Sequence, residues 1–413
     1  MDDIKELVLK SIFEKDGDAR KEIYKRARLG GVILASTYEL YKQRAEDKWH
    51  GFTVPAVNIR TLTFDIARTI LREARKNKVG AFIFELARSE IEYTDQSMSE
   101  YVSTILAASI KENYRGYLFF QGDHFQAVQK EFFSRNKEKE VNFLKNLIKE
   151  SIEAGAYNID IDGSTLVRLK EKDVKNQQRD NYLLTSELTS YIRGLDSKGI
   201  TVSVGGEIGE IGVKNSTCEE LEAFMRGYDE EKEKKGFNPG LSKVSVQTGT
   251  SHGGLVGPSG KLIEPEIDFE TLRKLSDEAR KYGMGGAVQH GSSTLPEKYF
   301  DQFAKTGAVE IHLATAFQNI VFDSKYFPEG LKEEIYDWLK KDFILRDEKN
   351  QTEEQFIYRK RKKALSKFKK EIWQIPQKNI DKICEELGEK ISLIFSKLGV
   401  YNTVELIQEI YSK

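Results

Sequence analysis

Short apolar runs recur through the middle of this chain, separated by stretches with the three-to-four-residue period of an amphipathic helix. The runs are FTVPAVNI (52–59), AFIFELA (81–87), YLFFQGDH (117–124), YNIDID (157–162), TVSVGGEI (201–208), KVSVQTGTSH (243–252), GAVQH (286–290) and AVEIHLAT (308–315). Each reads as a strand. Between them, FDIARTILREARKN, EVNFLKNLIKESIEAG and FETLRKLSDEARKYG repeat apolar residues at helical spacing, and the last two end at glycine, a frequent helix C-cap. Strand and helix in alternation predict a parallel sheet. Eight such units across residues 51–323 predict a closed α/β fold, the (β/α)8 TIM barrel. A doubly wound open sheet is the alternative, and no GxGxxG opens it.

The flanks lack this alternation. Residues 1–50 read as an N-terminal extension of polar amphipathic helices with a break at Gly30-Gly31, and residues 324–413 as a second, highly charged helical extension. The basic run RKRKKALSKFKKEIW (359–373) is predicted to be a solvated helix face, ahead of a contact to an anionic ligand. Neither an internal repeat nor a low-complexity segment is present.

Composition acts mainly by exclusion. Lys+Arg 65 against Asp+Glu 66 leaves a net charge of -1, so no basic excess argues for nucleic acid or an anionic membrane. No apolar run approaches the roughly 20 residues of a spanning helix, and MDDIKELVLK does not read as a signal peptide. Cys218 and Cys384 lie too far apart to be a metal pair and suit a reducing cytoplasm, the expected location.

The candidate chemistry lies where strands end. Four of the five histidines, His124, His252, His290 and His312, sit at or just beyond the end of a strand-like run, and glycines flank three of them. Imidazole is a common zinc ligand, and the C-terminal strand ends of a barrel converge on one face. Asp123 precedes His124. Neighbours on an extended segment point to opposite sides, so one can bind metal while the other faces substrate and shuttles a proton; orienting a ligand or capping a helix is the alternative for Asp123. Asp160 and Asp162 share one side of their strand and suit positions behind a metal or helix capping. Glu207 could ligate or orient the metal, while Glu210 could remain solvated. GTSHGGLVGPSG and HGSSTLP offer successive backbone N–H groups that can cradle an oxyanion such as phosphate, or simply make tight turns.

These motifs resemble the class II, zinc-dependent ketose-bisphosphate aldolases over roughly residues 51–323. VPAVNIRTL (54–62) resembles the family's VPAFNVNTL, Asp123-His124 its DH, IDGS (161–164) its MIDGS, GGEIG (205–209) its AELG, TSHG (250–253) its GxxHG and QHGSS (289–293) its LHGGSG. The resemblance implies His124, His252 and His290 as metal ligands, with Glu207 beside them, and Asp123 as the proton-transfer residue. It implies zinc, or Co2+ or Mn2+ in its place, with a monovalent cation as a further expectation. Asn58, Asp162, Gly253, Gly254, Gly291, Ser292, Ser293 and Thr315 are the expected substrate contacts. There are departures. EIGVKNST (210–217) stands where the family has an acidic loop, leaving Glu210 as the substitute. Val256 replaces a lysine, Ala87 a serine and Ala314 an aspartate, and His312 stands where the family has asparagine.

The expected activity is metal-dependent cleavage and formation of the C3–C4 bond of a ketose phosphate, in carbohydrate metabolism such as glycolysis. A sugar or sugar-phosphate 4-epimerase using the same retro-aldol step is the alternative, with a neutral His312 imidazole as an added acid-base group touching substrate. A non-catalytic accessory subunit is a third reading; a scaffold has no need of Asp123 and three histidines. The expected partners are a sugar or sugar phosphate and further copies of the chain in a homo-oligomer.

Overall fold

The computed structural model describes residues 3–197, 199–209, 214–249, 255–257, 262–263, 266–343 and 351–412. Eleven strands are present among them: β1 (Val32–Ala35), β2 (Val54–Asn58), β3 (Ile83–Ala87), β4 (Gly116–Gln126), β5 (Asn158–Asp162), β6 (Ser203–Glu207), β7 (Lys243–Val246), β8 (Leu255–Val256), β9 (Leu262–Ile263), β10 (Ala287–Gln289) and β11 (Glu310–Leu313). Nine form one sheet in the order β1-β4-β3-β2-β11-β10-β7-β6-β5, and a further β4–β5 pairing closes eight of them into a barrel. Every pairing in this sheet is parallel. β8 and β9 form a separate antiparallel pair. The fold is therefore a (β/α)8 TIM barrel with additional helices. Helices cover its outside and side chains fill its inside, so β2, β3, β5 and β6 are buried at every position.

Two expectations from the pattern need correction. The run 243–252 stops being strand after Val246, and Gly249 adopts φ +105°. The first fifty residues are not purely helical: after helices Asp3–Phe13 and Gly17–Leu29, the chain turns at Gly31 (φ +89°) and forms β1 beside the start of β4. This strand was hidden because Ile33 faces solvent and because four residues carry no readable period. The arrangement follows from β4 being eleven residues long. Its first half pairs with β1 and its second half, from Gln121 onward, with β5. The two glycine stops do terminate helices as expected: Gly155 and Gly283 take positive φ just after Lys137–Glu153 and Phe269–Lys281.

Both flanks share the barrel's hydrophobic core, from Ile4, Val8 and Ile23 at one end to Ile391 and Phe395 at the other. Thr37 donates from its backbone N–H to Asn158 Oδ1 (2.7 Å), and the following helix Tyr38–Ala45 sends the Tyr41 hydroxyl to Glu310 inside the barrel. Helix Gln377–Lys397 buries Ile380, Ile383, Cys384, Leu387 and Ile391, one helical stripe, and packs on helix Thr63–Lys76. Thr403 Oγ1 accepts from the backbone of Gly80 (3.0 Å) and Ala81 (3.1 Å), and Leu398 O from Thr53 N–H (3.0 Å). Both extensions thus seal the N-terminal face of the barrel, where stability rather than chemistry is usually built.

Gly80 marks a close approach of the last helix to the barrel, since a Cβ there would lie 2.9 Å from Val404 Cα and 3.2 Å from Thr403 O. Gly80→Ala is expected to destabilise the chain by about 1–3 kcal/mol, the usual penalty of overpacking, measured as a lowered urea midpoint with an unchanged slope.

Candidate active site

The site begins with a defect in β4. Its register against β5 shifts between Gly122 and Phe125, and His124 takes φ +42°. An unbroken strand would send neighbouring side chains to opposite faces. The bulge instead turns both Asp123 and His124 into one cavity, with His124 Nε2 3.9 Å from Asp123 Oδ1. The expected division of the pair between two sides is therefore corrected. Gly122 allows the bulge, because a Cβ there would meet the Phe125 ring at 2.4 Å.

Three donors converge beside Asp123. Ligand atoms of His124, Glu207 and His290 all lie within 4.8 Å of one another. His124 Nδ1 is 3.1 Å from Glu207 Oε2, and His290 Nε2 is 3.8 Å from the same oxygen. The His124 and His290 rings stand 4.1 Å apart. Asp162, fully buried, lies behind His124, accepts from its Nδ1 at 3.0 Å and is itself held by Ser164. Burial, then the neighbouring Asp162 carboxylate, pushes Glu207 up to about 7. Burial opposes a charge on His124, but Asp123, Glu207 and Asp162 outweigh it and raise the imidazole well above its ordinary value. Two imidazoles and a carboxylate form a donor set suited to zinc and similar divalent ions, and a cation there would offset the crowded carboxylates. His252, the third expected histidine ligand, lies outside the described residues, as do Glu210, Gly253 and Gly254.

Beneath Asp123 runs a buried polar column. His312 Nδ1 is 3.1 Å from Asp123 Oδ1 and 3.3 Å from Glu85 Oε2, and its Nε2 is 2.6 Å from Glu310 Oε1. Lys243, wholly buried, donates to Glu310 (2.6 Å), Gln121 Oε1 (2.6 Å) and Asp160 (3.0 Å). Desolvation disfavours the His312 cation, yet Glu85, Asp123 and Glu310 raise its pKa well above the usual value. This direction favours the protonated ring, where sequence reasoning expected a neutral one. It still lines the cavity and packs 4.1 Å from the His290 ring. Burial opposes the Glu310 charge, but Lys243 and His312 bring it down to about 2.

The cavity over these groups measures about 810 Å³. Asn58, Gly291, Ser293 and Thr315, four of the expected substrate contacts, line it, while Ser292 is buried with its hydroxyl turned to the Gln289 and His290 carbonyls. Asp162 is not on its wall. Asn58 Nδ2 donates to Glu90 (2.7 Å) and Asp123 (3.3 Å), and Arg60 Nε donates to Glu90 (2.6 Å). A larger hollow of about 970 Å³ lies between helices Thr63–Lys76 and Gln377–Lys397, but its lining is ordinary surface charge with no histidine.

The class-II fructose-bisphosphate aldolase family matches residues 38–385. The chain belongs to this family. Among solved structures it is similar to the fructose-bisphosphate aldolase of Campylobacter jejuni, at 14% identity and TM-score 0.52, covering 90% of this chain and 97% of that one. It is also similar to the fructuronate-tagaturonate epimerase of Cohnella laeviribosi, at 13% identity and TM-score 0.58, covering 84% and 81%. Identity this low supports the fold alone. A search of curated proteins finds no match.

Within this aldolase family member, sequence reasoning missed Glu85, Arg60, Glu90, Lys243 and Glu310. Three left a signal: Glu85 is a charge inside an apolar strand, Lys243 opens another, and Glu310 stands two residues before His312, hence on the same strand face. Lys243→Met strands Asp160 and Glu310 without their counter-ion. It is expected to cost about 3–5 kcal/mol, read as a lowered denaturation midpoint, and Lys243→Arg should not restore it in so confined a space.

Proposed function

We propose that this chain is a metal-dependent enzyme that breaks and remakes the C3–C4 bond of a ketose phosphate or a related sugar acid. The observation that carries this reading is Asp123, a carboxylate at the cavity floor, beside the His124–Glu207–His290 donors and backed by His312. Those three side chains, with His252 from sequence, would hold the divalent ion, with zinc the favoured candidate. When bound, the ion supplies Lewis-acid polarisation of the ketone. Asp123 takes the proton from the C4 hydroxyl as the C3–C4 bond breaks. A C4 carbonyl forms, and the bonding pair stays with the ketone fragment. In condensation Asp123 returns the proton. Its oxygens are already placed by Asn58 Nδ2 and His312 Nδ1, so little reorganisation precedes transfer. Gly291 and Ser293 line the same cavity and are candidates to hold the ketose end.

A second reading is favoured by His312. When the aldehyde turns over in the cavity, the electron pair left on C3 attacks its opposite face and remakes the C3–C4 bond; His312 gives a proton to the C4 oxygen and regains one from Asp123, to which it is hydrogen-bonded, so C4 is inverted without product release.

Prolonged chelation is expected to abolish turnover, with zinc or cobalt restoring it; full activity in excess chelator would overturn the metal-dependent reading. Asp123→Asn should lower turnover by roughly 10² to 10⁴ with metal content unchanged; near-normal turnover would remove Asp123 from the chemistry. A screen of ketose phosphates and hexuronates separates the two outcomes, since a three-carbon product marks aldol cleavage and C4 inversion without release marks epimerisation. His312→Asn should suppress inversion more than cleavage.

A further inference from the structure

The basic segment 359–363 does not lie idle on the surface. After helix Glu353–Lys360 the chain makes a short 3-10 turn, Arg361–Lys363, and Tyr358, Arg359 and Lys362 line the same cavity as Asp123 and His290. Interior cations elsewhere in the chain have carboxylate partners: Lys243 with Glu310, Lys369 with Glu100, Arg361 with Asp323, Arg88 with Glu140. Lys362 differs. Among the described residues no carboxylate forms an ion pair with its ammonium, which instead rests 5.5 Å from the Tyr93 ring centroid. Arg60, on the same cavity wall, has its charge committed in part to Glu90, with Thr315 and Gln318 accepting from it at 3.3 and 3.2 Å. The side chains linking this wall to the reacting carboxylate form an unbroken chain: Arg60 to Glu90, Glu90 to Asn58, Asn58 to Asp123.

We propose that Lys362, with Arg60 beside it, forms the binding site for an anionic terminal group of the substrate, a carboxylate or a phosphate. An unpaired cation in a partly desolvated wall is unfavourable until an anion reaches it, and the resulting charge-assisted bond is correspondingly strong. The same crowding by burial, then by Arg60 and Lys363, brings Lys362 down to about 8, as expected of an ammonium lacking a counter-ion. Its lysine comes from the C-terminal extension and its arginine from the barrel, in the same cavity as the glycine-rich turn at Gly291. It rests on reading this cavity as the sugar site and adds which end chemistry the sugar carries.

The test is calorimetric titration of the protein as purified with inorganic phosphate and, separately, with galacturonate. The unmutated chain should bind at least one of them, and Lys362→Met should weaken that binding roughly ten- to hundredfold. Lys362→Arg should retain most of it, and Lys367→Met, an exposed control outside the cavity, should not change it. Which probe responds separates phosphate from carboxylate. Equal affinity in the unmutated chain and Lys362→Met overturns the proposal, because an anion on the metal or at Gly291 would ignore Lys362. Absence of binding by either probe also overturns it. Labelling of the unmutated chain with pyridoxal phosphate and borohydride gives a second readout: Lys362 should be modified first and whichever of the two anions binds should protect it, and labelling elsewhere would count against it. None of these measurements depends on carbon–carbon bond chemistry. A failed aldolase and epimerase screen with intact Lys362-dependent binding would therefore sink the proposed function and leave this site standing.

Discussion

Charge compensation inside a closed barrel is the constraint on which this structure depends. Four carboxylates, from Glu85, Asp123, Asp160 and Glu310, are buried along its axis. In so dry a space each must meet a cation or hydrogen-bond donor or remain protonated. Lys243 binds Asp160 and Glu310, His312 bridges Glu310 and Asp123, and Gln121 spans Lys243, Glu85 and Glu310. Burial drives Glu85 well above its ordinary value, with the neighbouring His312 opposing it. The column therefore ends at Asp123 as a held, oriented carboxylate, ready beside the histidine and Glu207 donors.

The two ends of the barrel divide their tasks. The N-terminal extension reaches in from below through Tyr41, whose hydroxyl binds Glu310 at the base of the column. The last helices close the same face through Thr403 and Leu398. The C-terminal extension also sends one segment, residues 358–362, to the opposite mouth. Lengthening the chain beyond the barrel has thus added structure below and cationic wall above. Among the described residues, backbone strain at the site lies in β4, where His124 is held at φ +42° because the ladders with β3 and β5 fix the strand on both sides.

Much of this was legible in the sequence. Eight apolar runs alternating with helical periods determined the barrel, because period and burial are local properties of the chain. The histidines at strand ends determined where the chemistry would gather, because parallel strands in a barrel must finish on one face. The family motifs added Glu207 beside His124 and His290, and those three meet in space.

Other features belonged to the tertiary structure alone. A single inserted residue in β4 turned Asp123 and His124 to one side, which no alternation rule could foresee, since the bulge is set by its pairing with β5. β1 exists because β4 outruns β5 and leaves an edge to be paired. Lys243 and Glu310, sixty-seven positions apart, are partners only because β7, β10 and β11 lie side by side. The same holds for Lys362, read along the chain as one charge in a solvated run. By itself the sequence determined which elements form and which residue types reach the mouth. Which charges neutralise one another, and which cation remains for a ligand, depended on contacts between distant segments that only closure of the barrel creates.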